Sequence, residues 1–163
     1  MSKIAILGLG QRGEFWLQTA LQSGWQVSGF DPDPKALGTT RRGEWRREKT
    51  ISGTVKDANW IVCCLPERLE LMQKVIQRAQ AEAPETSVIA VDTSFPVDDV
   101  QTCATRRGQL VQVRFDLKDG FELAVTSKNA APIKDAATTT LAEFAATLSL
   151  EPTNVQSEHA ESA

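Results

Sequence analysis

The residues with the clearest capacity for chemistry are three glycines near the N-terminus, Gly8, Gly10 and Gly13, in the stretch ILGLGQRGEF. They follow an apolar run and precede a segment of helical periodicity, so their turn joins a strand to a helix. Glycines with this spacing permit a tight turn, a close approach of backbone to phosphate, and close packing of helix on strand. The pattern alone indicates either a phosphate-binding turn or a loop with incidental glycines.

An acidic residue further along the chain favours the first interpretation. Asp31 lies eighteen residues after Gly13 and directly follows the second predicted strand, close to the spacing of about 20 expected for a dinucleotide-binding turn. Its carboxylate can accept hydrogen bonds from both hydroxyls of an adenosine ribose, and it would repel a 2′-phosphate. The N-terminus of the helix offers N–H groups and partial positive charge to the phosphates. The sequence therefore predicts a dinucleotide site that takes NAD in preference to NADP.

The hydrophobic pattern predicts the elements that position this site. Apolar runs of strand length alternate with segments of helical periodicity, which predicts a parallel sheet with right-handed crossovers. We expect an α/β fold, a Rossmann-type doubly wound and mostly parallel sheet, in a single domain over residues 1–150. The expected strands are 3–7, 26–30, 59–65, 87–92, 109–115 and 120–127, and the expected helices are 11–22, one beginning near Pro66, 97–106 and 130–149.

Two further segments give weaker signals. The stretch TISG at 50–53 predicts a weak third strand. The stretch EPTNVQSEHAESA at 151–163 is polar, acidic and without periodicity, so we expect a flexible tail.

Composition narrows the class of protein. The chain of 163 residues has 41% hydrophobic residues and a net charge of −3, which fits a globular domain and gives no reason to expect nucleic acid as a partner. The longest apolar run, 60–65, is too short to span a bilayer, and the N-terminus lacks the pattern of a signal peptide. Three cysteines without histidine partners predict neither a disulfide framework nor a metal site. We expect a cytoplasmic location, and we expect the four tryptophans to serve packing.

A basic cluster at 41–49 carries five basic and two acidic residues. Arginines after the second strand can hold a 2′-phosphate, but these lie ten or more residues past Asp31. The cluster also fits a solvated loop, or a site for an anionic substrate or a CoA phosphate. The sequence leaves the choice among these interpretations open.

Two longer segments, 3–34 and 57–94, resemble the NAD-binding domain of the 3-hydroxyacyl-CoA dehydrogenase family. The phrases GWQVSGFDPDP and PERLEL are similar to the carnitine 3-dehydrogenase branch, and LPERLEL and VDTS are more selective than the glycine motif. The resemblance covers roughly residues 2–150. It ends where the family's helical second domain would follow.

The resemblance implies roles for individual residues. Glu67 matches an acid near the nicotinamide end of the cofactor, and Ser94 matches the serine that hydrogen-bonds the substrate oxygen. Ser94 also fits a helix N-cap, while Asp92 stands where the family usually has asparagine. The predicted cofactor-binding residues are Gly8, Leu9, Gly10, Gln11, Arg12, Gly13, Asp31, Leu65, Pro66 and Glu67.

The sequence departs from the family at the catalytic base. Arg114 stands where the family has its catalytic histidine, and arginine stays protonated. Loss of a positioned acid–base group costs about 10²–10⁴-fold in rate. The glutamate that orients the histidine has no clear match, since Glu122 is nearby but out of place, and the one histidine, His159, lies in the polar tail.

Two functions are consistent with this sequence. The first is an NAD(H)-binding domain of oxidoreductase type that acts on an acyl-CoA or small hydroxy-acid substrate. Its hydride transfer would be weakened or partner-dependent, with Ser94 and Arg114 as the catalytic candidates. The second is a non-catalytic module that senses NAD(H) or regulates a partner. The intact glycine motif argues against a third function, a dimeric scaffold without cofactor. We expect a homodimer, or a partner chain that supplies the missing domain.

Overall fold

A computed structural model of the chain describes residues 2–36, 45–102, 104–116 and 118–157. Within these ranges the chain forms one eight-stranded sheet flanked by helices. The strands are β1 (Lys3–Leu7), β2 (Gln26–Phe30), β3 (Arg46–Arg47), β4 (Trp60–Cys63), β5 (Val88–Asp92), β6 (Leu110–Asp116), β7 (Gly120–Val125) and β8 (Asn154–Ser157). The helices are α1 (Gln11–Gln22), α2 (Ile51–Val55), α3 (Leu69–Glu82), α4 (Val97–Gln101) and α5 (Ala131–Thr147), with a 3₁₀ turn at Arg107–Gln109.

The strand order is β3-β2-β1-β4-β5-β6-β7-β8. The six strands from β3 to β6 are parallel, β7 is antiparallel to β6, and β8 is parallel to β7. The order reverses between β1 and β4, and in sheets of this kind ligands bind at such a reversal, beyond the carboxyl ends of the strands. The predicted fold class, a Rossmann-type and mostly parallel sheet in one α/β domain, is confirmed.

The central strands are buried on both faces because helices cover each side of the sheet. Ile4 and Ile6 of β1 face the layer that contains α1 and α5. Ala5 and Leu7 face the layer that contains α2, α3 and α4. This explains why these strands are continuous apolar runs rather than alternating patterns.

Four large aromatic side chains hold the first of these layers together. Trp16 of α1, Trp60 of β4, Phe121 of β7 and Phe144 of α5 are all fully buried. The ring centroid of Trp16 lies 5.3 Å from that of Phe121 and 6.3 Å from that of Phe144. These tryptophans therefore pack in the core, as expected.

The structure differs from the sequence-based expectation in two segments. TISG is not a strand: Thr50 caps the N-terminus of α2 by accepting a 2.9 Å hydrogen bond from the Gly53 N–H, and Ile51–Val55 is helical. The segment expected to be a tail contains β8, whose residues pair with β7 in register Leu123 with Val155.

Two smaller findings concern a helix boundary and membrane spanning. Helix α4 is shorter than the predicted 97–106 and ends at Gln101. None of the helices within the described ranges is both long and apolar enough to cross a bilayer.

Replacing Phe144 by alanine tests the aromatic layer. Phe144 is fully buried, so Phe144→Ala should lower the free energy of unfolding by about 3–5 kcal/mol, because it leaves a cavity between α5 and the sheet. Urea unfolding followed by circular dichroism measures this change. Thr139→Ala, an exposed position on the same helix, is the control and should change it by less than about 0.5 kcal/mol. Equal effects of the two substitutions would contradict this packing.

Candidate functional site

The turn between β1 and α1 brings backbone segments too close together for side chains at two of its three glycines. Gly8 has a φ of +103°, and a Cβ there would collide with the carbonyl oxygen of Cys64, which follows β4. A Cβ at Gly13 would collide with the carbonyl oxygen of Gly8. The packing of α1 on the strand ends therefore requires both glycines.

Gly10 is different because the described residues give no steric reason for a glycine there. Its φ of −81° is open to any residue, and a Cβ would meet no described atom within 4 Å. Gly10 is also the N-cap residue of α1, and none of the described side chains caps that helix end. The space beside Gly10 and the N–H groups of the first turn thus suit a phosphate that approaches the backbone closely.

Asp31 is held in place by the same turn. Its Oδ2 accepts a 2.8 Å hydrogen bond from the Leu9 N–H, and its Oδ1 accepts one of 2.8 Å from the Asp33 N–H. Each carboxylate oxygen keeps a further lone pair for another donor. The acid is therefore fixed at the end of β2 and can still accept hydrogen bonds from ribose hydroxyls.

A cavity of about 480 Å³ lies next to Asp31, between the end of β2 and helices α2 and α3. Its apolar lining includes Phe30, Ile51, Leu65, Pro66, Leu71 and Val75. Its size and lining suit a flat, apolar ring such as a nucleobase. Of these six residues, only Leu65 and Pro66 are among those predicted from the sequence.

Arg12 joins three segments of the site through its guanidinium group. Its Nη2 donates to the carbonyl oxygen of Leu65 at 2.7 Å, and its Nη1 donates to the carbonyl oxygen of Asp92 at 2.7 Å. Nη1 also lies 3.3 Å from the Asp92 carboxylate. The sequence predicts Arg12 as a cofactor-binding residue; in the structure its side chain ties the first turn of α1 to the ends of β4 and β5.

The Asp92 carboxylate is the buried end of this network. Its side chain is 8% exposed, and its Oδ2 accepts a 2.8 Å hydrogen bond from the indole N–H of Trp16. Burial raises the pKa of Asp92 above its ordinary value of 3.8, although the Trp16 hydrogen bond and the charges of Arg12 and Arg114 act in the opposite direction. The folded protein therefore holds this carboxylate at an electrostatic cost.

Glu67 and Ser94, both predicted site residues, are in direct contact. The Ser94 hydroxyl and the Ser94 N–H donate to Glu67 Oε1 at 2.6 and 2.8 Å, and the Thr93 hydroxyl donates to Oε2 at 2.8 Å. Desolvation raises the pKa of Glu67, but these hydrogen bonds and the charge of Arg12 outweigh it, so the pKa lies below its ordinary value of 4.5. The cluster lies where the ends of β4 and β5 meet, and it is exposed at Glu67 and Ser94.

Arg114 lies on β6, exposed, with Glu122 as its neighbour on β7. Its charge acts on Asp92, while Ser94 makes its hydrogen bonds with Glu67. Glu122 could not be assigned from the sequence because the register of the β6–β7 hairpin is not visible in the local pattern. Only the strand pairing places the two side by side.

The remaining predicted positions vary in their surroundings. Leu9 contributes its N–H to Asp31, and its side chain is fully buried, whereas Gln11 is exposed at the start of α1. In the basic cluster, Arg47 donates 2.9 Å hydrogen bonds to the carbonyl oxygens of Ala36 and Asp33. Arg41, Arg42, Cys103 and His159 lie outside the described residues.

Fold and site together define an NAD(P)-binding Rossmann domain. The chain belongs to the family described as the NAD binding domain of 6-phosphogluconate dehydrogenase, which matches residues 3–113. Its N-terminal part is also distantly homologous to L-carnitine dehydrogenases, and its fold is that of a 3-hydroxyacyl-CoA dehydrogenase structure.

Three comparisons support this placement. The L-carnitine dehydrogenase of Mesorhizobium japonicum is 32% identical over 114 residues, which cover 58% of this chain and 31% of that protein. That of Streptomyces griseus is 31% identical over 130 residues, covering 67% of this chain and 39% of that protein. The crystal structure of (S)-3-hydroxybutyryl-CoA dehydrogenase from Ralstonia eutropha has the same fold, with a TM-score of 0.82 at 12% identity, over 97% of this chain and 64% of that one. The chain thus spans about a third of the length of the curated relatives that it matches.

The raised pKa of Asp92 predicts how the free energy of unfolding depends on pH. Because the pKa of Asp92 is raised in the folded state, the contribution of Asp92 to the free energy of unfolding falls as the pH rises from 3.8 through the folded pKa. Asp92→Asn does not titrate, so its free energy of unfolding, relative to wild type, should rise over that window. Denaturant unfolding from pH 3.5 to 7 measures the difference.

A second variant checks the cause of this pH dependence. Trp16→Phe removes the N–H that stabilises the charged form of Asp92, so its stability should fall more steeply with pH than that of wild type. A difference between Asp92→Asn and wild type that stays constant across this range would contradict the account.

Proposed function

We propose that the chain binds NAD(H), in preference to NADP(H), at the carboxyl edge of the sheet. The pyrophosphate would lie over Gly10 and the first turn of α1, the ribose hydroxyls would bind Asp31, and the adenine would occupy the apolar cavity. The observation that carries this proposal is Gly10, where a Cβ would meet no described atom within 4 Å, at a helix N-terminus that no described side chain caps.

The preference for NAD rests on charge. The Asp31 carboxylate would repel a 2′-phosphate. Arg47, which lies on the neighbouring strand, has its guanidinium engaged with the backbone carbonyl oxygens of Ala36 and Asp33. The residues around Asp31 therefore favour a ribose with both hydroxyls unmodified.

A bound nicotinamide would supply a hydride acceptor or donor next to the ends of β4 and β5. There the chain contributes Glu67, Thr93 and Ser94, in a fixed hydrogen-bonded cluster, with Arg114 on β6. We propose an oxidoreductase-type domain whose substrate is an acyl-CoA or a small hydroxy acid. Ser94 would contact the substrate oxygen, and Arg114 would bind a substrate carboxylate.

Hydride transfer by this domain would be weakened, or would depend on a second copy or a partner chain. Arg114 cannot act as a base. The same observation favours a second candidate function, a module that senses NAD(H) without turnover. Cofactor binding without product formation from any hydroxy acid would support this second function.

Gly10→Ala tests the pyrophosphate position. The added methyl group has room in the protein itself, so the free energy of unfolding should change by less than about 0.5 kcal/mol. It would occupy the space proposed for phosphate, at a cost of about 1–3 kcal/mol, which corresponds to a roughly 5- to 150-fold weaker affinity for NADH. Quenching of tryptophan fluorescence measures the affinity, with Thr139→Ala as the remote control. Unchanged affinity in Gly10→Ala would rule out this position for the phosphates.

Asp31→Asn tests the choice between cofactors. Asparagine keeps an oxygen acceptor for the Leu9 N–H but lacks the negative charge. A hydrogen bond to a charged group contributes about 1.5–3 kcal/mol, so NADH should bind roughly tenfold or more weakly. NADPH should bind as well as in wild type or better. A ratio of NADH to NADPH affinity that equals the wild-type ratio would exclude Asp31 as the selecting residue.

A further inference from the structure

Alcohol oxidation releases a proton, and Arg114, in place of the usual histidine, cannot take it. We propose that Ser94 and Glu67 form a proton relay that accepts the hydroxyl proton of a secondary-alcohol substrate. This inference rests on the proposed binding of NAD(H), which supplies the oxidant, and it assigns the base that the site otherwise lacks.

The relay follows from the direction of one hydrogen bond. The Ser94 hydroxyl has a single hydrogen, and that hydrogen is donated to Glu67 Oε1 at 2.6 Å. Toward another molecule, Ser94 Oγ can therefore only accept a hydrogen bond, through its lone pairs. A group that binds Ser94 must therefore donate a hydrogen bond, which an alcohol can do and a ketone cannot.

The surrounding contacts hold this arrangement in place. The Thr93 hydroxyl donates to Glu67 Oε2 and accepts the Phe95 N–H at 3.1 Å, so its orientation is fixed as well. Gln112 of β6 donates to the carbonyl oxygens of Thr93 and Phe95 and fixes the turn that carries Ser94. The serine and the carboxylate are thus preorganised before any ligand binds.

The relay carries the substrate proton through Ser94 to Glu67 while the hydride leaves the substrate carbon. As the carbinol C–H bond breaks and its hydride passes to the oxidised nicotinamide, the carbinol oxygen forms the C=O bond and releases its proton to Ser94 Oγ. Ser94 passes its own proton to Glu67 Oε1. Glu67 is exposed, so the resulting carboxylic acid returns the proton to water.

The electrostatics of Glu67 give the relay a distinct pH signature. The hydrogen bonds from Ser94 and Thr93, with the charge of Arg12 on α1, hold the pKa of Glu67 below 4.5, so the carboxylate is charged throughout the physiological range. A histidine base would instead produce an ionisation near pH 6.5. A carboxylate of low pKa is also a weak base, so turnover should be slow.

Glu67→Gln gives the sharpest test because it removes the proton acceptor and keeps the hydrogen bonds from Ser94. Glu67 Oε1 accepts from both the N–H and the hydroxyl of Ser94, so the amide oxygen of the introduced side chain takes that position and its nitrogen faces the Thr93 hydroxyl. A neutral amide cannot take up the proton. With NAD⁺ and either L-carnitine or (S)-3-hydroxybutyrate, NADH formation should fall by about 10²–10⁴-fold. Ser94→Ala should lose NADH formation as well, and Glu70→Gln, an exposed residue on α3, is the matched control and should keep it.

Separate readouts distinguish the relay from the cofactor site. NADH affinity should stay within about twofold in Ser94→Ala and Glu70→Gln, and Ser94→Ala should raise the pKa of Glu67, measured by carbon NMR without cofactor, because one of its hydrogen bonds is lost. Between pH 6 and 8 the wild-type rate should show no inflection. An inflection there, full activity in Glu67→Gln, or NADH binding without turnover of either alcohol would overturn the relay alone. A wild-type chain that binds no NADH would overturn the proposed function itself.

Discussion

The backbone of Gly8 lies directly against the carbonyl group of Cys64, and Gly13 lies directly against the carbonyl group of Gly8. No side chain fits at either position, so α1 can begin immediately beyond the ends of β1 and β4. The N-terminus of α1 consequently lies at the place where the strand order reverses. The positions of Gly10, Asp31 and the apolar cavity all depend on this close packing, because each of them adjoins the same turn.

A second network supports the same edge from the other side. Arg12 contacts two strand ends. Asp92 accepts hydrogen bonds from the guanidinium group of Arg12 and from the indole N–H of Trp16. A buried carboxylate is costly unless it is paired and hydrogen-bonded. The network therefore couples the aromatic core to the loops that carry Leu65 and Ser94. It gives the part of the site at the ends of β4 and β5 a defined geometry.

The features that the sequence predicts correctly depend on local signals. The strand–turn–helix with its three glycines has a fixed spacing with a steric cause, which makes the fold class predictable. The nucleotide site at these glycines and Asp31 stays a prediction. The prediction of a strand at TISG is wrong because a Thr–Ile pair suits a strand as well as a helix start, and only the cap from Thr50 to Gly53 separates the two. Strand β8 has four exposed residues, so its pairing with β7 leaves no periodic pattern in the sequence.

The contacts that the sequence does not reveal join residues far apart in the chain. Trp16 and Asp92 are 76 positions apart, and Glu67 and Ser94 are 27 apart. Residue types alone do not show which partner a side chain has. The sequence therefore does not reveal that Arg12 contacts two strand ends. It also leaves open whether Ser94 caps a helix or contacts a substrate.

The most direct test of the central claim is a titration of the wild-type chain with NADH and with NADPH, followed by tryptophan quenching and energy transfer to the nicotinamide. The account predicts saturable NADH binding with a dissociation constant in the micromolar range, and NADPH binding that is at least tenfold weaker. Binding of neither nucleotide, or an equal affinity for both, would contradict it.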